Sequence, residues 1–191
     1  MTENRTVKIL GIAGSLRAKS YNRALLRAAQ ELAPSDLGIE VFDEVGTLPL
    51  FNQDLETEGD PEPVARLKEA IRRNQGLLIS TPEYNLSVPG VVKNLVDWAS
   101  RPARESPLDG TPVGLMGATP GSTGTARAQS VLRQSFVFTN SPVLAQPEVL
   151  VGRARDRFDD EGRLTDDRTR DHLSRFLKAL RDWVRLVGRK A

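Results

Sequence analysis

The chain has 191 residues, with 27 Lys plus Arg against 25 Asp plus Glu and a formal charge of +2, enough for one domain (1–191) that buries about 70% of its unfolded surface. It holds no cysteine and one histidine, which excludes disulfide staples, thiolate metal sites, cysteine nucleophiles and histidine-rich metal centres. Basic residues do not gather with aromatics, no run approaches the roughly 18 apolar residues of a membrane span, and the opening MTENRTVK lacks a signal-peptide core, so neither nucleic acid nor membrane is an expected partner and the expected location is cytoplasmic.

The stretch TVKILGIAG carries Val7, Ile9, Leu10, Ile12 and Ala13 in a nearly unbroken apolar run, the pattern of a strand buried on both faces. After it come Gly14 to Asn22, GSLRAKSYN, and then Leu25, Ala28, Ala29 and Leu32 at the i, i+3, i+4, i+7 spacing of a helix. A helix start presents N–H groups without partners and partial positive charge, so a phosphate fits there. Ser15, Ser20 and Asn22 add short donors, and Arg17 adds a charge-assisted fork. The same residues also read as a simple cap, with Ser20 or Asn22 closing the helix. Neither GxGxxG nor the GxxxxGK nucleotide loop is present.

Pro34 and Asp36 to Gly38 give turn signals, and Ile39 to Asp43 reads as a second strand. Gly46 to Gly59 has no clear period, and its apolar knot of Pro49, Leu50 and Phe51 needs a cover, either the core or another subunit. Asp60, Pro61 and Pro63 open a helix with Val64, Leu67 and Ile71 inward. Gly76 to Thr81 is a third strand, followed by the loop TPEYNLSVPG. The next helix turns Val91, Leu95 and Trp98 inward with Val92, Val96 and Ala99. Thr111 to Thr119 is a fourth strand, and a Gly-rich turn leads to a helix with Ala128, Val131 and Leu132 inward. Ser141 to Gln146 and Glu148 to Arg153 make a fifth strand bent at Pro147. Arg153 to Asp167 reads as an exposed charged excursion. Thr165 or Asp166 then caps a last helix with Leu173, Phe176, Leu177, Leu180, Val184 and Val187 on one side.

Five buried strands alternating with helices imply a doubly wound parallel sheet with helices on both faces, so the loops after strands one, three and four should meet at one edge. At that edge Tyr84 offers a flat ring and Asn85 hydrogen-bonding groups. Glu83 reads as an acid or base, or as an anchor of the loop to a neighbouring helix or subunit. His172 reads as a surface or packing residue, the acidic clusters around Asp159 and Asp166 fit no calcium loop, and Trp98 and Trp183 fall on apolar helix faces. With no side-chain nucleophile, base or metal set, the pocket suits a cofactor that brings its own chemistry, and FMN matches the parts.

The motifs GSLRAKSYN, LPLFNQDLE, TPEYNLSVPGVVKNLVDWASR, GSTGTARAQ and PEV together resemble the flavodoxin-like NAD(P)H-dependent FMN reductases, which include quinone, azo-dye and chromate reductases. The resemblance implies a flavodoxin-like sheet of order 2-1-3-4-5. It implies that Ser15, Arg17, Ser20 and Asn22 hold the FMN phosphate, with Tyr21 in the same site. Pro82, Glu83, Tyr84 and Asn85 would line the ribityl chain and ring, and Thr119 would close the other side. The loop MGATPGSTG departs most from the chromate-reductase branch. The implied reaction passes a hydride from NADPH or NADH to FMN and then electrons to a small acceptor: a quinone, azo compound, metal oxyanion or free flavin. No residue is assigned a catalytic role of its own. Arg101 and Arg104 are candidates for the extra phosphate of NADPH, or simply a solvated helix end. A homodimer or homotetramer is implied. The alternatives are a flavodoxin-type electron carrier without nicotinamide activity, or a module that has lost FMN. The near-neutral charge and Arg17 both set this chain apart from acidic carriers.

Overall fold

The computed structural model describes residues 6–188. Its centre is a five-stranded parallel sheet in the order β2-β1-β3-β4-β5, formed by β1 (Val7–Ala13), β2 (Leu37–Phe42), β3 (Leu77–Ser80), β4 (Val113–Ala118) and β5 (Val149–Val151). This is the flavodoxin-like order the motifs imply. Val7 to Ile12 pair with Leu37 to Phe42, and Leu10 to Ala13 with Leu77 to Ser80. Strand order therefore reverses at β1, and ligands of such sheets sit outside the carboxyl ends beside that point.

Two apolar cores flank the sheet. One holds Leu25 and Ala29 of α1 (Tyr21–Leu32) with Leu173, Phe176, Leu177 and Leu180 of α6 (Asp167–Val187). The other holds Leu67 and Ile71 of α3 (Glu62–Arg72), Leu95 and Trp98 of α4 (Gly90–Ala99) and Leu132 of α5 (Ala126–Ser135). Ionic clamps close the rim of the first core, where Asp36 before β2 accepts from Arg181 and Arg185 of α6, both at 2.9 Å.

Several elements differ from the sequence reading. The stretch without a period contains a short helix, α2 (Gln53–Glu58), started by Asn52, whose Oδ1 accepts from Asp54 N at 2.9 Å. The apolar knot before it is covered by α4: the Pro49 carbonyl accepts from Asn94 Nδ2 and Trp98 Nε1, and the Phe51 ring meets Trp98 edge-on at 5.0 Å. Leu50 stays outside, 81% exposed. Val131 is exposed while Gln129 takes an inward place, its Nε2 donating to Thr125 Oγ1 and the Val149 carbonyl. The fifth strand keeps only residues Val149–Val151, and the segment before Pro147 runs beside the start of β4 through a bridge of Val143 to Val113. The excursion after β5 is not a solvated loop, because Ala154, Phe158 and Leu164 are buried against the first core.

Candidate functional site

The three loops meet at the carboxyl edge of the sheet. Gly14 N donates to the Ser80 carbonyl at 2.8 Å, Thr81 N to the Met116 carbonyl at 2.9 Å, and Thr119 N to the Val151 carbonyl at 2.9 Å. Backbone approach is close: a Cβ on Gly14 would collide with the Val92 side chain, and one on Gly117 with Thr125 Oγ1 and the Thr81 carbonyl. Ser15 Oγ lies 3.4 Å from Tyr84 Oη, so residues 69 positions apart in sequence face one another across the rim.

The first loop divides into two kinds of residue. Ser20 is the N-cap of α1, its Oγ accepting from Asn22 N at 3.1 Å. Asn22 is buried, and its side chain is a clasp: Oδ1 accepts from Ala118 N at 2.9 Å and Ser80 Oγ at 3.1 Å, and Nδ2 donates to the Ala118 carbonyl at 2.9 Å. Asn22 thereby ties the start of α1 to the ends of β3 and β4, and both lone pairs of its carboxamide oxygen are occupied. The side chain therefore ties these elements together, with one of its two Nδ2 hydrogens engaged by the Ala118 carbonyl. The Tyr21 ring packs obliquely on Phe158 at 5.5 Å.

In the outer half Arg17 N donates to Ser15 Oγ at 3.4 Å, and the other donors are open. Arg17 and Lys19 are exposed, and no carboxylate lies within ion-pairing distance of either among the described residues. Ala18, Lys19 and Tyr21 have backbone N–H groups that donate to no protein acceptor among those residues. Arg23, which sequence reasoning missed, holds this loop down through Nε to the Ser15 carbonyl at 3.1 Å. Its only sequence signal is a basic residue one turn into the helix, next to the motif.

The second loop is a tight hairpin. Tyr84 and Ser87 exchange backbone hydrogen bonds at 3.1 and 3.0 Å, with Asn85 at φ 50° and Leu86 at φ 63° between them, the type I′ geometry of a two-residue turn. Asn tolerates the left-handed region and leucine does not, so Leu86 holds backbone strain at the rim. Tyr84 is 46% exposed, Asn85 is exposed, and Pro82 is buried under the loop.

Glu83 is the anchor and not a free acid. Oε1 accepts from Arg127 Nε at 2.9 Å, and Oε2 accepts from the N–H groups of Arg127 and Ala128 at 3.0 and 3.2 Å. Those are the second and third residues of α5, whose own N-cap, Thr125, supplies no side-chain capping bond, so the second loop caps the helix that follows the third. Burial pushes the Glu83 carboxyl up, but these hydrogen bonds outweigh it and hold it below the ordinary carboxylate range.

Thr119 sits half-buried at the end of β4, its carbonyl accepting from Ala154 N at 3.0 Å and its Oγ1 lying 3.4 Å from Gly121 N. Arg101, a candidate for a phosphate, is instead tied to Glu56 of α2 at 3.0 and 3.1 Å. Arg104 is exposed at φ 68°. His172 lies away from the rim on α6, and no group of three or more His, Asp or Glu among the described residues could hold a metal ion.

A rim with free N–H groups and an unpaired guanidinium at one end and a half-exposed phenol at the other fits a ligand with an anionic tail and a flat head. Residues 7–156 match the sequence family described as NADPH-dependent FMN reductase. The chain is 48% identical over 179 residues to an NAD(P)H-dependent FMN reductase of Pseudomonas aeruginosa, spanning 94% of this chain and 96% of that one. It is 36% identical to a quinone reductase of Escherichia coli, with 95% and 97% covered. Among solved structures it superposes on FerB, a flavoenzyme NAD(P)H:(acceptor) oxidoreductase from Paracoccus denitrificans, with a TM-score of 0.88 and 34% identity, covering 96% of this chain and 100% of that one.

Proposed function

The chain belongs to the NADPH-dependent FMN reductase family, and from that premise we propose that its rim holds FMN by named residues and that a quinone is the acceptor it serves. As a member it is an NAD(P)H-dependent flavin oxidoreductase. When bound, FMN would supply the redox chemistry, accepting a hydride from NAD(P)H and passing electrons to a small oxidised molecule. The protein's own part is to bind, orient and support.

In this reading Arg17, Ser15, Ser20 and the free N–H groups at the start of α1 hold the phosphate, because the Arg17 guanidinium and those N–H groups lack protein acceptors and all of these groups gather where the helix dipole is positive. Pro82, Tyr84 and Asn85 flank the ribityl chain and ring from one side, and Thr119 with the loop after it closes the other. Asn22, Tyr21 and Glu83 act through the scaffold: they fix where the three loops stand and leave the ligand to the others. The observation that carries the reading is Ser15 Oγ at 3.4 Å from Tyr84 Oη, which puts the phosphate end and the ring end of one pocket within a single ligand's span. The quinone assignment rests on the names of relatives from Pseudomonas putida, at 44% identity, and Escherichia coli. Azo compounds, metal oxyanions and free flavin are further acceptors to try. Leu16, Leu50 and Leu86, exposed by 53, 81 and 61%, support pairing with a second copy of the chain, as a homodimer or homotetramer.

The test is spectroscopic. The purified protein is expected to be yellow, to bleach on anaerobic addition of NADPH and to regain colour when a benzoquinone is added. Protein that stays yellow with NADPH and NADH would be an electron carrier. Colourless protein that refuses added FMN would overturn the flavin reading altogether.

A further inference from the structure

A second cationic site lies on the far edge of the sheet, away from the rim residues assigned above. Beside β5, the last strand of the order, α6 leaves a groove of about 500 Å³, a volume in the range of small-molecule sites. Leu150 and Val151 give it an apolar lining, which continues to Gly152, where a Cβ would collide with the Ser122 carbonyl of the third loop. The groove therefore begins next to the loop that closes the flavin pocket.

Its wall on α6 is a stripe of Arg168, His172 and Arg175, spaced i, i+4, i+7 on one helix face. His172 Nε2 lies 2.6 Å from the Glu148 carbonyl. A carbonyl only accepts, so Nε2 carries the proton and the ring clasps helix to strand. The groove's acidic groups are already engaged: Asp166 pairs with Arg157 at 2.5 Å and caps α6 by accepting from Thr169 N, and Glu148 lies 3.9 Å from Arg133. Arg168 and Arg175 are exposed and have no carboxylate within ion-pairing distance among the described residues.

Two unpaired guanidinium forks beside an apolar lining match a ligand that is both phosphorylated and partly hydrophobic, since the planar fork fits phosphate oxygens in pairs and stacks on flat rings. We propose that this groove binds a nucleotide, its phosphate held by Arg168 and Arg175 and its base or sugar set against Leu150 and Val151. The nucleotide comes either from the adenosine end of the nicotinamide co-substrate, reaching over from the third loop, or from a separate phosphorylated nucleotide.

The test uses FMN-loaded protein and adenosine 2′,5′-bisphosphate as probe, titrated by calorimetry. Arg168→Glu and Arg175→Glu should each raise the dissociation constant by about tenfold, the size of one charge-assisted contact. Lys178→Glu makes the same charge change on the same helix outside the groove and should move it by less than about twofold, as expected of screened surface charge. Repeating the titration with saturating NADP⁺ separates the sources: competition identifies the co-substrate's own adenosine end, and undiminished binding identifies a separate nucleotide. No binding by the unaltered protein at millimolar probe, or equal losses in Arg175→Glu and Lys178→Glu, would overturn the site. Because bleaching at saturating NADPH reads the flavin pocket separately, the groove can fail while the reductase assignment stands.

Discussion

The motif Gly14 to Asn22 contains two regions that treat polar groups in opposite ways. At its inner end Asn22 is buried and bonded to Ser80 and Ala118. At its outer end the Arg17 guanidinium and the N–H groups of Ala18 and Lys19 have no protein partner among the described residues. A buried polar group left without a partner costs stability, whereas an exposed one is solvated until a ligand displaces the water. The inner half is therefore read as scaffold and the outer half as recognition, and substitutions in the two halves should separate stability from affinity.

Asn22→Ala should give the largest effect, since it leaves the Ser80 hydroxyl and both backbone groups of Ala118 unsatisfied in a dry site. FMN-free protein is expected to lose about 2–4 kcal/mol in urea denaturation. Arg17→Ala should do the reverse, weakening FMN binding by about 1.5–3 kcal/mol while FMN-free stability moves by less than about 0.5 kcal/mol. If Asn22→Ala kept full stability, or Arg17→Ala lost it, the division between the halves would be wrong.

Glu83 sharpens the contrast on the second loop, where an acid with a largely buried side chain belongs to the scaffold. Glu83→Ala should cost about 1–2 kcal/mol, the scale of a lost helix cap, measured by the same denaturation. Its pH dependence has a definite sign. Burial raises the carboxyl, the Arg127 and α5 hydrogen bonds lower it by more, and the net folded value lies below the unfolded one. The contribution is thus fully present above the ordinary carboxylate range and is lost as pH falls through the lowered value. Wild type and Glu83→Ala should converge in stability under acid, and a gap that persisted there would contradict the ion-pair account. Smallest of all, Leu86→Gly should relieve the left-handed strain at φ 63° and raise stability by about 0.5–1 kcal/mol, the flexible unfolded glycine offsetting part of the gain.

The sheet was legible because β3 and β4 are buried throughout and β1 nearly so, and such strands read as continuous apolar runs bounded by Gly and Pro. The convergence of the three loops followed from the parallel order alone. What stayed hidden depends on partners distant in sequence. The clasp joins Asn22 to residues 58 and 96 positions away, and nothing local to NRALL distinguishes a clasping asparagine from a phosphate-binding one. Glu83 was read with both roles open, and its choice is set by where α5 begins. Phe158, in a stretch dense with charge, is buried against Tyr21, a pairing that no local period signals. Val131 was misplaced because the helix face was judged from apolar residues alone, while the inward Gln129 is admitted by its bonds to Thr125 and Val149.

The claim on which the account rests is that the free donors of the outer loop hold a phosphate. Titrating FMN-free protein with FMN and with riboflavin, which lacks that phosphate, tests it most directly. FMN should bind at least about 100-fold more tightly, a difference of roughly 2.7 kcal/mol, and Arg17→Ala should remove most of that preference. Equal affinity for the two flavins in the unaltered protein would contradict it.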